Sequence, residues 1–289
     1  MRYFLMILTF IGLCCAAQQK SNPTSSNDLS ELIMSGKPVY MQNQVFNENI
    51  DFTSLQRDYN VKSGVSQVNI SSPVTFVNCT FKGDVTGNMT GKDGAFTACK
   101  FVNNLVFINC NFENKVNFNN CEFQGLLDFT GSSFLKEVTM NNTFMANEVY
   151  FRQSVFQEDA QISNAYFNRK ITMAEATFYK NVTFQGSTFL GEIQAFSTKF
   201  IGYTDFSQTD LRGRSFFTYA DFRSRAEFSN SVFHGSMDFV SASFGEVRFD
   251  NSRFLDVYNF NYAKKVKSVT FNNAIFQIDV KNGSYRDLE

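Results

Sequence analysis

Phenylalanine recurs along this chain at intervals of five and six residues. In the stretch VNFNNCEFQGLLDFTGSSFLKE, four phenylalanines are separated by gaps of five, six and five residues. Neither the ~3.6-residue period of a helix nor the two-residue alternation of a strand produces this spacing. The chain has 36 Phe, no Trp and 3 Pro among its 289 residues. One aromatic residue type is therefore used for one repeated structural purpose.

The repeated unit is eleven residues long and has the form apolar–x–Phe–x–x–small–x–Phe–x–x–x. Roughly eighteen such units run from Val74 to about Gln277, and self-similarity at a fixed period is typical of a solenoid. The apolar residues come in pairs two positions apart, so both members of a pair point to one side of a short extended segment. Polar or turn-forming residues separate the pairs. The pattern predicts a coil of four inward-facing sides built from two units.

Glycine and asparagine mark two corners in many units, because both tolerate left-handed or tight backbone. At the first corner stand Asn78, Asn109, Asn120, Gly131, Asn142, Asn164, Gly186 and Asn230. At the second corner stand Gly83, Asn103, Asn114, Gly125, Gly191, Gly202, Gly213 and Gly235.

Stacked coils would place the phenylalanine rings in columns along the axis of the rod. The small residue two positions before the second phenylalanine of a unit makes room for these rings. About nine coils at ~4.8 Å each predict a rod on the order of 43 Å long. The phenylalanines that best define this core are Phe107, Phe112, Phe118, Phe123, Phe129, Phe134, Phe228, Phe233, Phe239 and Phe244.

These units resemble the pentapeptide-repeat family, whose units carry a central Leu or Phe and a small residue two positions earlier. The resemblance covers most of the chain and implies an all-β fold, a right-handed quadrilateral β-helix (solenoid). The chain departs from the family pattern because every second unit of five has a sixth residue, which we place at a corner. A short helix from Asp28 to Ser35 is expected to cap the N-terminal end of the solenoid.

The predicted organisation has four parts. A signal peptide spans residues 1–17, a linker and N-terminal cap span 18–72, the β-helix spans 73–279, and a polar tail spans 280–289. Several irregularities interrupt the repeats, two of them at the following positions. The glycine-rich insertion between Asp84 and Gly94 should loop out, and the side at Ala195 and Phe196 should be distorted because two residues compete for one inward slot.

The N-terminus predicts export. Arg2 precedes an apolar run from Tyr3 to Leu13, and small residues follow up to Ala17, as in a secretory signal peptide. Cleavage after Ala17 is one reading of this segment, and lipidation of Cys15 is the other. The expected location is therefore the periplasm, or a tether to the outer membrane, with no transmembrane helix in the mature chain.

The mature chain keeps four cysteines, Cys79, Cys99, Cys110 and Cys121, each two residues before a phenylalanine. We interpret them as small buried side chains of the repeat. Cys99 and Cys121 lie 22 residues apart, one coil, so a disulfide between them is the alternative.

Motifs for catalysis, cofactors or metals are missing from the sequence. The single histidine, His234, falls at an exposed corner, and no Ser/His/Asp or Cys/His arrangement forms around it. We therefore expect no enzyme activity and no cofactor. The most concentrated charge is basic, and its members are candidate anion-binding residues: Arg212, Arg214, Arg223 and Arg225. Outward tyrosines add candidate stacking contacts: Tyr150, Tyr166, Tyr179, Tyr203 and Tyr219.

Three classes of function compete. Export, a packed core and missing catalytic residues favour a structural or interaction module of the bacterial cell envelope, a rigid rod that presents flat faces to a protein or glycan. The family resemblance also suggests a DNA mimic that binds a topoisomerase, but a net charge of −1 and a signal peptide disfavour a nucleic-acid-like surface. A carbohydrate-active β-helix enzyme is the third class, and it would need carboxylates clustered on one face.

Overall fold

The computed structural model describes residues 26–55, 65–90 and 96–278. The predicted signal peptide, the predicted lipidation site Cys15 and the predicted polar tail lie outside these residues. The fold is the expected right-handed quadrilateral β-helix with one short helix at its N-terminal end, Ser26–Met34. In the described part of the chain, all strand pairs are parallel except one, and partners lie one coil apart.

The coil has four faces, numbered here in chain order. Faces 1 and 4 each form a separate β-sheet, whereas faces 2 and 3 belong to one sheet. Face 1 contains the strands Val39–Gln42, Val74–Val77, Leu105–Ile108, Leu127–Asp128, Val149–Tyr150, Ile171–Thr172, Ile193–Gln194, Ser215–Phe216, Met237–Asp238 and Tyr258–Asn259. Face 4 contains Val65–Ile70, Phe96–Phe101, Glu122–Phe123, Phe144–Met145, Tyr166–Phe167, Thr188–Phe189, Asp210–Leu211, Val232–Phe233, Arg253–Phe254 and Ile275–Phe276.

Faces 2 and 3 merge near the C-terminal end. Face 2 begins with Val45–Phe46, Thr80–Phe81, Asn111–Phe112, Ser133–Phe134, Val155–Phe156, Thr177–Phe178 and Lys199–Phe200. Face 3 begins with Ile50–Asp51, Val85–Thr86, Val116–Asn117, Val138–Thr139, Ala160–Gln161, Val182–Thr183 and Thr204–Asp205. Three longer strands then run across the corner between the two faces: Asp221–Glu227, Ser243–Arg248 and Lys264–Thr270. Register shifts at this corner absorb the change in path.

The solenoid starts one coil earlier than residue 73. Val39 pairs with Val74 and Ile50 pairs with Val85, so the lead-in segment already forms strands in register with the repeats. Face 1 therefore has ten strands rather than nine. The helix covers this first coil with Leu29, which is 1% exposed, and Ile33, which is 4% exposed.

The core consists of ring columns, as the spacing predicts. All ten phenylalanines chosen from the sequence are 0 or 1% exposed. In the face 2 column, the centroids of Phe112 and Phe134 lie 4.8 Å apart and those of Phe134 and Phe156 lie 4.6 Å apart. The planes of these pairs are tilted by 7° and 11°, so each ring stacks on the next along the axis. Burial of these rings is the main favourable term for the fold.

The two corner types work differently. All eight Asn and Gly residues predicted at the first corner have a positive φ, between 52° and 70°. The second-corner glycines do not have a positive φ. They are close to the backbone of the coil below instead: a Cβ on Gly213 would lie 2.1 Å from the oxygen of Gly191, and one on Gly235 would lie 2.4 Å from the oxygen of Gly213. The sequence predicted left-handed or tight backbone at both corners; the first corner is left-handed, and at the second corner these glycines allow a close approach between coils.

Hydroxyl groups in the small slot connect successive coils. Ser132 Oγ donates to the carbonyl of Phe107 at 3.0 Å and accepts the N–H of Cys110 at 3.0 Å. Ser187 makes the same two bonds with Ile162 and Ala165. The residue at this position is small for steric reasons. Where it is Ser, its hydroxyl also provides hydrogen-bond partners for buried backbone N–H and carbonyl groups.

The structure tests the prediction at Ala195 and Phe196 fully and the one on the insertion in part, because residues 91–95 of the insertion lie outside the described residues. Ala195 takes the inward slot at 0% exposure and Phe196 points outward at 37%, so the expected distortion at this unit is not found. In the insertion, Asn88–Thr90 pairs antiparallel with Phe96–Phe101, which forms the one antiparallel pair of the described residues.

Candidate functional site

The outer surface of face 3 is organised by side-chain hydrogen bonds between coils. Thr139 Oγ1 donates to Asn117 Oδ1 at 3.1 Å, and the N–H of Asn141 donates to Asn119 Oδ1 at 2.7 Å. The N–H of Ser163 continues the same row by donating to Asn141 Oδ1 at 2.8 Å. Each pair spans 22 residues, which is one coil. The polar groups on this face are therefore held in fixed positions before any partner arrives.

Charged side chains also pair along the axis. Lys100 Nζ lies 2.9 Å from Glu122 Oε1, and Lys170 Nζ lies 3.3 Å from Glu148 Oε1. Both pairs again link neighbouring coils. Exposed pairs of this kind contribute little to stability, about 0–1 kcal/mol each. They matter more for the electrostatic character of the surface, because each pair neutralises the local charge.

The four candidate arginines do not form one patch. Arg212 and Arg214 lie at the corner between faces 4 and 1, whereas Arg223 and Arg225 lie at the diagonally opposite corner between faces 2 and 3. Each of the four forms an ion pair with a carboxylate. Arg212 pairs with Asp210 at 2.8 Å, Arg214 with Glu192, Arg223 with Asp221 at 2.7 Å, and Arg225 with Glu227 at 2.6 Å. Anion binding at these residues stays a prediction, and an anion would have to compete with a carboxylate at each of them.

Most of the outward tyrosines selected from the sequence contact other side chains. Tyr166 stacks on Phe144 at 5.4 Å, and the hydroxyl of Tyr150 donates to the carboxylate of Glu148. Arg225 lies 5.7 Å from the centre of the Tyr203 ring. Burial raises the pKa of Tyr150 and of Tyr203 to about 12, and the adjacent carboxylates add to this effect. These three rings belong to the protein's own surface packing.

Tyr219 and Tyr262 differ from this group. Their side chains are 64% and 82% exposed, and no side-chain hydrogen bond, ion pair or ring contact engages them in the described residues. Tyr219 was among the outward tyrosines selected from the sequence, but Tyr262 was not. The repeat itself carries the signal that finds both, since each occupies the fifth position of its eleven-residue unit, where Asn and Gly are usual.

The four cysteines described by the structure are buried free thiols. The disulfide that the spacing of Cys99 and Cys121 allows is not formed. Burial raises the pKa of Cys121 to about 12 and also raises that of Cys99, so both are protonated thiols at neutral pH. At the other corner, the thiols of Cys79 and Cys110 donate to the carbonyls of Met41 and Phe76, each at 3.6 Å.

His234 lies at an exposed corner, as expected, and is 44% exposed. Its Nε2 is 3.0 Å from Asp210 Oδ1. Across residues 26–55, 65–90 and 96–278, no three His, Cys, Asp or Glu side chains converge as metal ligands would. The same residues include no helix with the length and apolar character needed to cross a bilayer.

Comparisons with known proteins identify the repeats. A family model described as pentapeptide repeats (9 copies) matches residues 96–143, 107–155 and 217–264. The chain is similar to two solved structures of trypsin-treated variants of QnrB1, a plasmid-mediated fluoroquinolone resistance protein. The first is 15% identical, with 84% of this chain and 91% of that chain covered at a TM-score of 0.28. The second is 11% identical, with 83% and 90% covered at a TM-score of 0.21. No curated protein matches the sequence.

Proposed function

This chain is a pentapeptide-repeat protein, and we propose that it is an exported, non-enzymatic interaction module of the bacterial cell envelope. In this role the rod binds a protein or glycan through its flat outer faces. The observation that supports the proposal most is the set of side-chain bonds between coils on those faces, such as Thr139 to Asn117.

A surface that is ordered before binding loses little conformational freedom when a partner docks. Ordering a mobile side chain at an interface costs about 0.5–1.5 kcal/mol. On face 3, the amides and hydroxyls are already fixed by partners one coil away. The packed ring columns beneath them keep the backbone straight and rigid. Such a rod is suited to binding through repeated weak contacts over a long face.

Export is supported by the first seventeen residues, which lie outside the described part of the chain. The apolar run and the small residues at Cys15, Ala16 and Ala17 fit a cleaved signal peptide or a lipid anchor. Either form would place the rod where envelope proteins and glycans are the abundant partners.

DNA mimicry is less well supported by the same surface. A nucleic-acid-like rod needs rows of unpaired negative charge along its length. Here Glu122, Glu148 and Glu192 each pair with a Lys or Arg one coil away. The net charge of −1 gives no long-range negative field.

Sedimentation with envelope material tests the proposal. The mature rod is mixed with washed envelope fragments, before and after protease treatment of the fragments, and the pellet is assayed for the rod. We expect the folded rod to co-sediment and a heat-unfolded sample, kept soluble at low concentration, to remain in the supernatant or lose its saturable binding. A folded rod that stays wholly in the supernatant with both kinds of fragment would contradict the proposed function.

A further inference from the structure

We propose that one edge of the rod binds a neutral, extended β-linked glycan. This inference rests on the proposed function and names one of its partners. The edge, called the aromatic ridge below, is the corner between faces 1 and 2 in the last four coils. It consists of Phe196, Ser197, Thr218, Tyr219, Val240, Ser241, Asn261 and Tyr262.

The ridge residues stack in one column. The N–H of Ser197 donates to the carbonyl of Thr218, that of Tyr219 to Val240, and that of Ser241 to Asn261. Tyr219, Ser241 and Tyr262 therefore occupy the same corner position in consecutive coils. The underlying ring column has centroid steps of 5.0 and 5.1 Å, from Phe217 through Phe239 to Phe260. The two tyrosines project from one straight edge two coils apart, which is about 9.6 Å.

These tyrosines stand where the backbone disfavours them. Tyr219 and Tyr262 both have a φ of 59°, in the left-handed region that bulky residues rarely adopt. Every coil has left-handed backbone at this corner, and Asn78 and Asn109 adopt it at lower cost. The two tyrosines are the only aromatic residues there among the described residues, and the corner is also occupied by Gln153, Glu175, Ser197 and Ser241. High exposure means that neither tyrosine compensates by burying its ring. Residues held in such conformations cluster at binding and active sites, so the two exposed tyrosines at this corner point to a binding surface.

The chemistry of the ridge selects the class of ligand. None of its eight residues is charged, although the preceding coils carry Arg152 and Glu175 at the same corner. A neutral ligand matches such a surface, because a charged one would lose hydration and gain no counter-charge. Ring faces carry partial negative charge, which attracts the polarised C–H groups on the flat face of a sugar ring. Ser197, Thr218, Ser241 and Asn261 supply hydroxyl and amide groups for the sugar hydroxyls.

The spacing of the rings favours an extended chain. The length between the two tyrosines is comparable with the disaccharide repeat of a β-linked glycan whose alternate rings present the same face. The small side chain of Ser241 leaves room for the intervening sugar. One coil before Tyr219, Phe196 stacks on Phe216 at 5.5 Å and continues the aromatic surface along the same edge. A coiled α-linked glycan would not follow a straight edge of this kind.

Asparagine substitution separates binding from folding. The double variant Tyr219→Asn, Tyr262→Asn installs the residue that this corner already uses, so its Tm should equal or exceed that of the native chain. A soluble β-1,4-linked glucose hexasaccharide is titrated into the protein, and calorimetry measures the binding affinity. We expect the native rod to bind and the double variant to lose roughly tenfold or more in affinity, as expected for two stacking contacts of about 0.7 kcal/mol each. Tyr179→Asn, at an exposed tyrosine outside the ridge, is the matched control and should bind as the native chain does.

Titrations with other polysaccharides test which class of glycan the ridge prefers. An α-linked glucan and an anionic polysaccharide should bind at least roughly tenfold more weakly than the β-linked glucan, which is the loss of about 1.4 kcal/mol. The proposal is overturned if the native rod binds no neutral β-linked glycan, or if the double variant binds as tightly as the native chain. Co-sedimentation with envelope fragments in the absence of glycan binding would overturn this inference alone. The absence of both would also overturn the proposed function.

Discussion

At the scale of single residues, the slot before the second phenylalanine of each unit does more than avoid a clash. Ser132 is fully buried, and its hydroxyl is the acceptor for the N–H of Cys110. Other units fill the equivalent slot with Cys, Ala or Thr, as at Ala176. The choice of residue therefore sets how well each buried corner is hydrogen-bonded, while the volume of the slot stays nearly constant.

Replacement of this hydroxyl gives a first prediction. Ser132→Ala should lower the free energy of unfolding by about 1–3 kcal/mol, because it leaves the buried N–H of Cys110 without an acceptor. Ala176→Ser adds a hydroxyl at the equivalent position of another coil. By the repeat pattern this hydroxyl can donate to the carbonyl of Phe151, so the free energy of unfolding should change little. Chemical denaturation of both variants checks this. A loss for Ser132→Ala no larger than the change for Ala176→Ser would count against the role of the hydroxyl.

Asp128 gives a prediction on pH. Its side chain faces outward on face 1 but is only 9% exposed, and burial raises its pKa. Because the folded state then holds the proton more tightly than the unfolded state, stability falls as pH rises from the ordinary pKa of an aspartate through the raised value. Asp128→Asn should therefore raise the Tm at pH 7, and the advantage should vanish below about pH 3.8.

The Asp128→Asn variant keeps the acceptor that binds the N–H of Thr130 at 2.8 Å. Asp238→Asn is the matched control, since Asp238 accepts the N–H of Val240 at 2.8 Å in the same outward column but is less buried. Thermal unfolding from acid to neutral pH distinguishes the two. An equal gain for both variants at pH 7 would rule out burial of Asp128 as the cause.

At the scale of elements, the corners decide which substitutions the coil accepts. Asparagine should be tolerated at Gly186, which has a φ of 69° and whose nearest neighbour is the movable side chain of Asn164. At Gly213 the neighbour is the backbone of Gly191, so Gly213→Asn should destabilise by about 1–3 kcal/mol or more, because the coils must separate. Gly186→Asn should stay within about 0.5 kcal/mol of the native chain. Denaturation curves that shift equally would refute the distinction between the two corner types.

The N-terminal helix is the other element with a definable role. Leu29 is 1% exposed, so Leu29→Ala should cost about 2–5 kcal/mol by opening a cavity over the first coil. Met34→Ala, at a side chain that is 51% exposed on the same helix, should cost little. Hydrogen exchange should localise the Leu29→Ala effect to strands Val39–Gln42 and Val74–Val77. Uniform loss of protection along the whole rod would contradict a capping role.

The repeat predicted the strands and corners well, because the type of residue at each position of the unit indicates whether its side chain points inward. The ring columns and the first-corner backbone follow from the eleven-residue unit alone. Contacts between coils are harder to predict, since they depend on side chains 22 residues apart and on how tightly two coils approach. That is why the sequence did not distinguish the close backbone contacts of the second-corner glycines from the left-handed first corner, and why the carboxylate partners of Arg212 and Arg225 were not anticipated.

At the scale of the whole molecule, the chain is a rod whose interior is uniform and whose surface is not. Phenylalanine columns run through the coils, and on the outside a hydrogen-bonded polar face, paired charges and an aromatic ridge lie at different positions around the axis. A rigid core of this kind fixes the distances between these surfaces. The proposed role in the envelope requires that the rod be exported intact.

The intact mass of the protein from its native cells, measured together with protease accessibility on whole cells, tests that role most directly. The account predicts a chain that starts at Gln18, or one that carries lipid on Cys15, recovered with the envelope fraction. Protease would reach the lipidated form on intact cells, or the soluble form once the outer membrane is opened. A full-length chain that retains Met1 and is recovered in the cytoplasm would contradict the account.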